Sequence, residues 1–182
     1  MAKIIDMNER KRHLRAKKGF DPWSRRFGKP FTADTSVRDL DNSTIRYLIR
    51  GGDESSLALY DFIMGIKGFG AGMQFDGLES EIKIGITDIT LFILDLLRFE
   101  AMYRLGWLND HPALDTPLLD LVQDFSGQFS GPRHDSPALS SDHPKYEQYI
   151  AQFEGDRNSF VRRLIPEAIE LFCSRDDDAG KS

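Results

Sequence analysis

Apolar residues recur along most of the chain with the spacing of amphipathic helices. Leu59, Phe62, Ile63 and Ile66 follow the i, i+3, i+4, i+7 pattern, which places their side chains on one helix face. Similar patterns, with capping residues or glycines at their ends, predict helices near residues 41–50, 117–129, 144–153 and 156–173. Pro166 should kink or divide the last of these. The sequence therefore predicts an all-α protein, a helical bundle of five to seven helices.

The strongest helix prediction covers residues 88–105, which are apolar on nearly all sides and so belong at the centre of a bundle or at an oligomer interface. Asp95 lies inside this apolar segment. Because a buried carboxylate must find hydrogen-bond donors, we predict a buried ion pair between Asp95 and Arg98, with Glu100 and Arg104 as a second pair. An alternative role for Asp95 is a carboxylate that contacts a ligand or substrate.

Residues 78–87 fit two structures. Isoleucine at positions 82, 84 and 86 alternates with other residue types, which is typical of a short strand at 82–86. Isoleucine at positions 82, 86, 89 and 93 equally fits one long helix. We favour the helix because the neighbouring sequence offers no obvious second strand.

Charge is divided unevenly along the chain. Residues 1–30 contain ten Lys/Arg and three Asp/Glu, and the remaining residues contain fourteen and twenty-six, so the two parts carry +7 and −12 of the overall −5. This division predicts a basic arm at 1–38, a helical domain at 39–175 and a disordered tail at 176–182. Within the arm, residues 7–18 fit a short helix, and the glycines and prolines from Gly19 onwards predict irregular chain.

The arm interleaves cations with aromatic residues, and these form the predicted partner-binding set. Its members are Arg12, Arg15, Lys17, Lys18, Trp23, Arg25, Arg26 and Phe27. Cations attract phosphates and aromatic rings stack on unpaired bases, so RNA or single-stranded DNA is one candidate partner. The arm could instead pack on the acidic body of its own chain or oligomer, or on another protein. The acidity of the whole chain favours these two interpretations over nucleic acid.

Motifs for catalysis, metals or cofactors are lacking, so we predict none of these. The glycine-rich segment 65–72 follows a predicted helix and lacks the Gly-Lys-Ser/Thr ending of a nucleotide loop, which favours a structural turn over an anion-binding loop. The histidines at positions 13, 111, 134 and 143 never occur in helical pairs, and no Gly-x-Ser-x-Gly motif is present.

The predicted location is cytoplasmic. A single cysteine, Cys173, favours a reducing compartment, and the amino terminus lacks the apolar stretch of a secretion signal. Charged residues interrupt the most apolar window, 82–97, so no membrane association is predicted. We therefore expect a non-enzymatic interaction or regulatory protein that self-associates or binds another protein. A nucleic-acid-binding protein, and a small-molecule-binding protein or enzyme using carboxylates around Asp95, are the alternatives.

Overall fold

The computed structural model describes residues 6–125 and 136–175. These residues form eight α-helices joined by loops and short 3-10 turns. The β-type pairing among these described residues consists of two isolated bridges. The helices are α1 (Met7–Phe27), α2 (Asn42–Ile49), α3 (Asp53–Lys67), α4 (Ser80–Arg104), α5 (Leu118–Asp124), α6 (Tyr146–Ile150), α7 (Arg157–Arg163) and α8 (Ile165–Ser174). The all-α prediction is confirmed. The helix count exceeds the predicted range by one, and Pro166 stands in the first turn of α8, where the last predicted helix divides.

The central helix is α4, which contacts α2, α3, α5 and α8. It begins at Ser80, so residues 82–86 are helical and the strand alternative is wrong. Ile86, Ile89 and Ile93 are all buried, whereas Ile84 is 62% exposed. Burial therefore follows the helical spacing of the isoleucines rather than their alternation.

Helix α1 is longer than predicted. It begins after Asp6, whose side chain accepts a hydrogen bond from the Asn8 N–H, and ends at Gly28, which has a φ of 64°. Pro22 lies inside it and has no N–H to offer the Lys18 carbonyl. The prediction of irregular chain is wrong for residues 19–27, because packing against α3 compensates for the proline, and it is confirmed for residues 28–31.

Two glycines allow α1 and α3 to cross closely. A Cβ on Gly65 would lie 2.5 Å from the Lys18 carbonyl oxygen, and one on Gly19 would lie 2.7 Å from Ile66 Cγ1. Beside this crossing, Trp23 is fully buried and its Nε1–H donates to the Ala58 carbonyl at 2.7 Å. Helix α1, which makes up most of the predicted arm at 1–38, therefore packs on its own body and belongs to the same hydrophobic core as α3 and α4.

Some predictions lie beyond what the structure describes. Residue Phe129 of the predicted 117–129 helix, His134 and the predicted tail at 176–182 are outside the described residues. Within the described parts of the chain, no helix is both long and apolar enough to cross a membrane.

Candidate functional site

Helix α1 has one apolar side and one basic side. Ala16, Gly19, Phe20 and Trp23 are buried against the body. The rest of the helix surface carries exposed cations, namely Arg10, Lys11, Arg15, Lys17, Lys18, Arg25 and Arg26. The helix therefore uses its aromatic residues for packing and leaves most of its charge in solvent.

The aromatic residues of this segment form an internal cluster. Phe20 stacks on Phe31 with ring centroids 5.3 Å apart, and Trp23 lies 4.7 Å from Phe62. Phe27 is half-buried and makes an edge contact with Tyr47 at 5.3 Å. The assignment of Trp23 as a partner-binding residue needs correction, because its side chain has no exposed surface.

Two of the predicted partner-binding cations are engaged within the chain. Arg12 forms ion pairs with Asp34 at 2.8 Å and Asp120 at 3.0 Å, and its Nη2 also donates to the Ala33 carbonyl at 3.0 Å. The hydrogen bonds to Asp120 and then to Asp34 raise the pKa of Arg12. Arg26 Nη1 donates to the Tyr47 hydroxyl at 2.6 Å. These two side chains hold α1 to its own body.

The other predicted partner-binding cations of α1 point into solvent. Arg15, Lys17, Lys18 and Arg25 are exposed, and none forms an ion pair within residues 6–125 and 136–175. Lys11, Arg15, Lys18 and Arg25 are spaced four, three and seven residues apart, so they share one helix face. We call these four residues the basic stripe; it spans about 21 Å along α1.

An open groove lies where the side chains of α1 meet the carboxyl end of α3, and we call it the α1–α3 cleft. Two adjoining cavities of about 420 and 450 Å³ make up this cleft. Both are lined by Lys18, Gly65 and Gly68; the first also has Arg15, Ile66, Lys67 and Gln123, and the second has Asp21, Pro22, Arg25, Asp61, Gly70 and Ala71. Three residues of the basic stripe, Arg15, Lys18 and Arg25, therefore line one wall of the cleft.

The glycine-rich segment forms the other wall and ends α3. Gly68 caps the helix with a φ of 81°, and its N–H donates to the Met64 carbonyl. Downstream, the Gly72 N–H donates to Asp61 Oδ1 at 2.7 Å, and a Cβ on Gly72 would lie 2.9 Å from that same oxygen. The segment is a tight turn held against α3, as the structural interpretation expected.

Asp95 lies at a polar edge between α4 and α7. Its Oδ2 accepts a hydrogen bond from Arg162 Nη1 at 2.7 Å, and its Oδ1 lies 3.5 Å from Arg98 Nη1. Its side chain is 17% exposed. The structure thus brings Asp95 and Arg98 together, but the shorter contact is to Arg162, which the sequence pattern did not indicate because it lies 67 residues away.

A more deeply buried carboxylate lies one turn further along α4. The Glu100 side chain is 2% exposed; its Oε1 accepts from Arg104 Nε at 2.8 Å, and its Oε2 lies 3.6 Å from Arg38 Nε. Arg38 also donates to Asp110 at 2.7 Å, which raises the pKa of Arg38 and lowers that of Asp110. This network ties the segment before α2 to the central helix.

Two tyrosines, one on α3 and one on α4, pack against neighbouring side chains. The Tyr60 ring stacks on Phe75 at 4.3 Å, and the Arg38 guanidinium lies 4.5 Å above the Tyr103 ring. In the described portion of the chain, no group of three or more histidine, cysteine, aspartate or glutamate residues could hold a metal ion.

We compared the chain with protein-family models, curated proteins and solved structures. No family model, curated protein or solved structure matches the chain.

Proposed function

We propose that the protein is a non-enzymatic helical interaction protein that binds an acidic protein partner through the basic stripe of α1. The observation that carries this proposal is the row of cations at positions 11, 15, 18 and 25, which have no ion-pair partner among the described residues. The stripe lies on a helix whose opposite side is in the core, so its charges are held on a fixed backbone.

The charge distribution of the whole chain supports a specific role for the stripe. The chain has 29 acidic residues and 24 basic ones, so carboxylates are plentiful. Arg12, Arg38 and Arg104 all have carboxylate partners of their own chain. A fixed array of unpaired cations attracts an acidic surface, accelerates its encounter and sets its orientation.

The packing of the aromatic residues favours a protein partner over RNA or single-stranded DNA. Stacking on bases contributes much of the affinity for unpaired nucleic acid. Trp23 and Phe20 are buried, so they offer no ring to a base. Phe27 is half-buried against Tyr47, so the exposed side of α1 presents mainly cations, which suit an acidic surface without bases.

The proposal can be tested by fluorescence anisotropy with two labelled probes of equal length, an oligoglutamate peptide and an oligothymidylate. We expect the oligoglutamate to bind at low salt and to dissociate as salt rises, because exposed charges are screened. The double variant Lys11→Glu/Arg25→Glu, which changes the two ends of the stripe, should weaken binding by about tenfold or more.

The matched control is Arg50→Glu/Arg163→Glu, which reverses two exposed cations outside α1 and changes the net charge equally. It should bind the oligoglutamate nearly as well as the natural chain. Equal loss in both double variants, or tighter binding of the oligothymidylate than of the oligoglutamate, would overturn the proposal.

Self-association is a second part of the proposal, supported by exposed apolar residues on α4. Ile84 and Leu91 are 62% and 39% exposed and, seven residues apart, lie on one helix face. We expect sedimentation equilibrium at micromolar concentration to detect a dimer or larger oligomer, and Leu91→Lys to shift it towards monomer. A monomeric natural chain would remove this part.

A further inference from the structure

The α1–α3 cleft concentrates positive charge at one end. Arg15 and Lys18 of α1 and Lys67 of α3 line its first cavity, of about 420 Å³, together with Gln123. None of the three cations has an ion-pair partner in the part of the chain that the structure describes. Three like charges around one recess repel each other, and an anion bound between them would relieve that repulsion.

The fold holds these cations in place from two directions. The close contact between Gly65 and the Lys18 backbone fixes the distance between α1 and α3. Lys67 is the last residue of α3, immediately before Gly68 turns the chain away. The carboxyl end of a helix carries roughly half a negative charge, which is small against three full positive charges. The net field in the first cavity therefore favours an anion.

The adjoining cavity, of about 450 Å³, has a different character. It shares Lys18 with the first cavity but is also lined by Asp21 and Asp61. Asp61 Oδ1 accepts the hydrogen bond from the Gly72 N–H, so this carboxylate is held in a fixed orientation. Carboxylate oxygens are acceptors and suit hydroxyl or amino groups of a ligand.

We propose that the α1–α3 cleft binds a small phosphorylated molecule, with its phosphate between Arg15, Lys18 and Lys67 and its hydroxyl groups towards Asp21 and Asp61. Arginine and lysine are the side chains that commonly bind phosphate, through charge-assisted hydrogen bonds. A sugar phosphate has both the phosphate that suits the cations of the first cavity and the hydroxyl groups that suit the aspartates of the second. This site goes beyond the proposed partner surface but shares Arg15 and Lys18 with it, so the small molecule competes with an acidic partner for α1.

Isothermal titration calorimetry at low ionic strength tests this site with four probes: inorganic phosphate, ribose, ribose 5-phosphate and adenosine monophosphate. We expect both phosphorylated sugars to bind more tightly than inorganic phosphate, and unphosphorylated ribose to give no heat. Comparison of ribose 5-phosphate with adenosine monophosphate shows whether a base adds affinity.

Variants assign the two ends of the cleft. Lys67→Gln should lower the affinity for ribose 5-phosphate about tenfold, because it removes one charge-assisted contact. Asp21→Asn should lower the affinity for ribose 5-phosphate and leave the affinity for inorganic phosphate unchanged. Lys11→Gln, on α1 but outside the cleft lining, is the matched control and should leave both affinities unchanged. Circular dichroism and the melting temperature check that each variant is folded.

The outcomes separate this site from the partner surface. Lys67 lies outside the basic stripe. The Lys67→Gln variant should therefore keep its affinity for oligoglutamate while its affinity for ribose 5-phosphate falls. If no phosphorylated probe binds at millimolar concentration, the site does not exist. If Lys67→Gln and Lys11→Gln weaken binding equally, the phosphate responds only to net charge and the proposal is wrong.

Discussion

Replacement of Glu100 by glutamine tests the most deeply buried charge in the described structure. The substitution keeps the shape of the side chain, and the remaining amide oxygen can still accept from Arg104 Nε, which now lies 2.8 Å from Oε1. It removes the negative charge that faces Arg38 and Arg104 and can turn an N–H₂ group towards one of them. The expected result is a loss of stability with no loss of fold.

The magnitude follows from the surroundings of the two arginines. Removal of one partner of a fully buried ion pair costs about 3–5 kcal/mol. Here the Arg38 and Arg104 side chains are 26% and 21% exposed, so solvent screens part of the stranded charge. Arg104 also keeps the Asn42 side chain and the Leu40 carbonyl as acceptors. We therefore expect a loss of about 2–3 kcal/mol in the free energy of unfolding.

Urea unfolding followed by far-ultraviolet circular dichroism measures this loss. The midpoint should fall while the slope m stays unchanged, because the same surface is exposed on unfolding. The control Glu170→Gln changes an exposed glutamate of α8 and should shift stability by less than about 0.5 kcal/mol. A Glu100→Gln variant as stable as that control would refute the view that this carboxylate is a buried, paired charge.

Four further substitutions test other parts of the structure. Asp95→Asn should cost about 1–2 kcal/mol, less than a fully buried pair because its side chain is 17% exposed; no change in urea midpoint would show a solvated edge. Gly65→Ala should destabilise strongly, since its Cβ would lie 2.5 Å from the Lys18 carbonyl oxygen, whereas Gly85→Ala, with open space around its Cβ, should stabilise α4 by about 0.5–1 kcal/mol. Burial and then Lys145 lower the pKa of His143 despite the opposing effect of Glu167. As pH falls, His143 therefore binds a proton in the unfolded chain before it does so in the folded one. The free energy of unfolding should fall as pH drops below about 6.5, and this fall should be smaller in His143→Asn.

The sequence pattern predicts the body of this fold well, because local spacing determines it. In α4 the isoleucines at 86, 89 and 93 are buried as the helical period requires. In α1 the residues Ala16, Phe20 and Trp23 also have helical spacing, yet Gly19 and Pro22 obscured it. Gly19 is required because a Cβ there would lie too close to Ile66. This contact joins distant parts of the sequence, so local helix propensity cannot indicate it.

The candidate site is only partly visible in the sequence. Charge composition identifies the cations of α1, including Arg15 and Lys18. It does not indicate that Lys67 joins them, because that depends on how closely α1 and α3 cross. Likewise, no spacing rule connects Asp95 with Arg162, since the two lie on separate helices.

The burial of Trp23 and Phe20 couples α1 to the stability of the whole fold. Deletion of the first thirty residues would remove roughly 1.5–3 kcal/mol of burial for each of these side chains and open the core, so truncation cannot separate binding from folding. The same coupling provides a readout. Any molecule that binds the outer side of α1 in the folded chain alone must raise the melting temperature of the entire protein, and the rise with concentration reports its affinity.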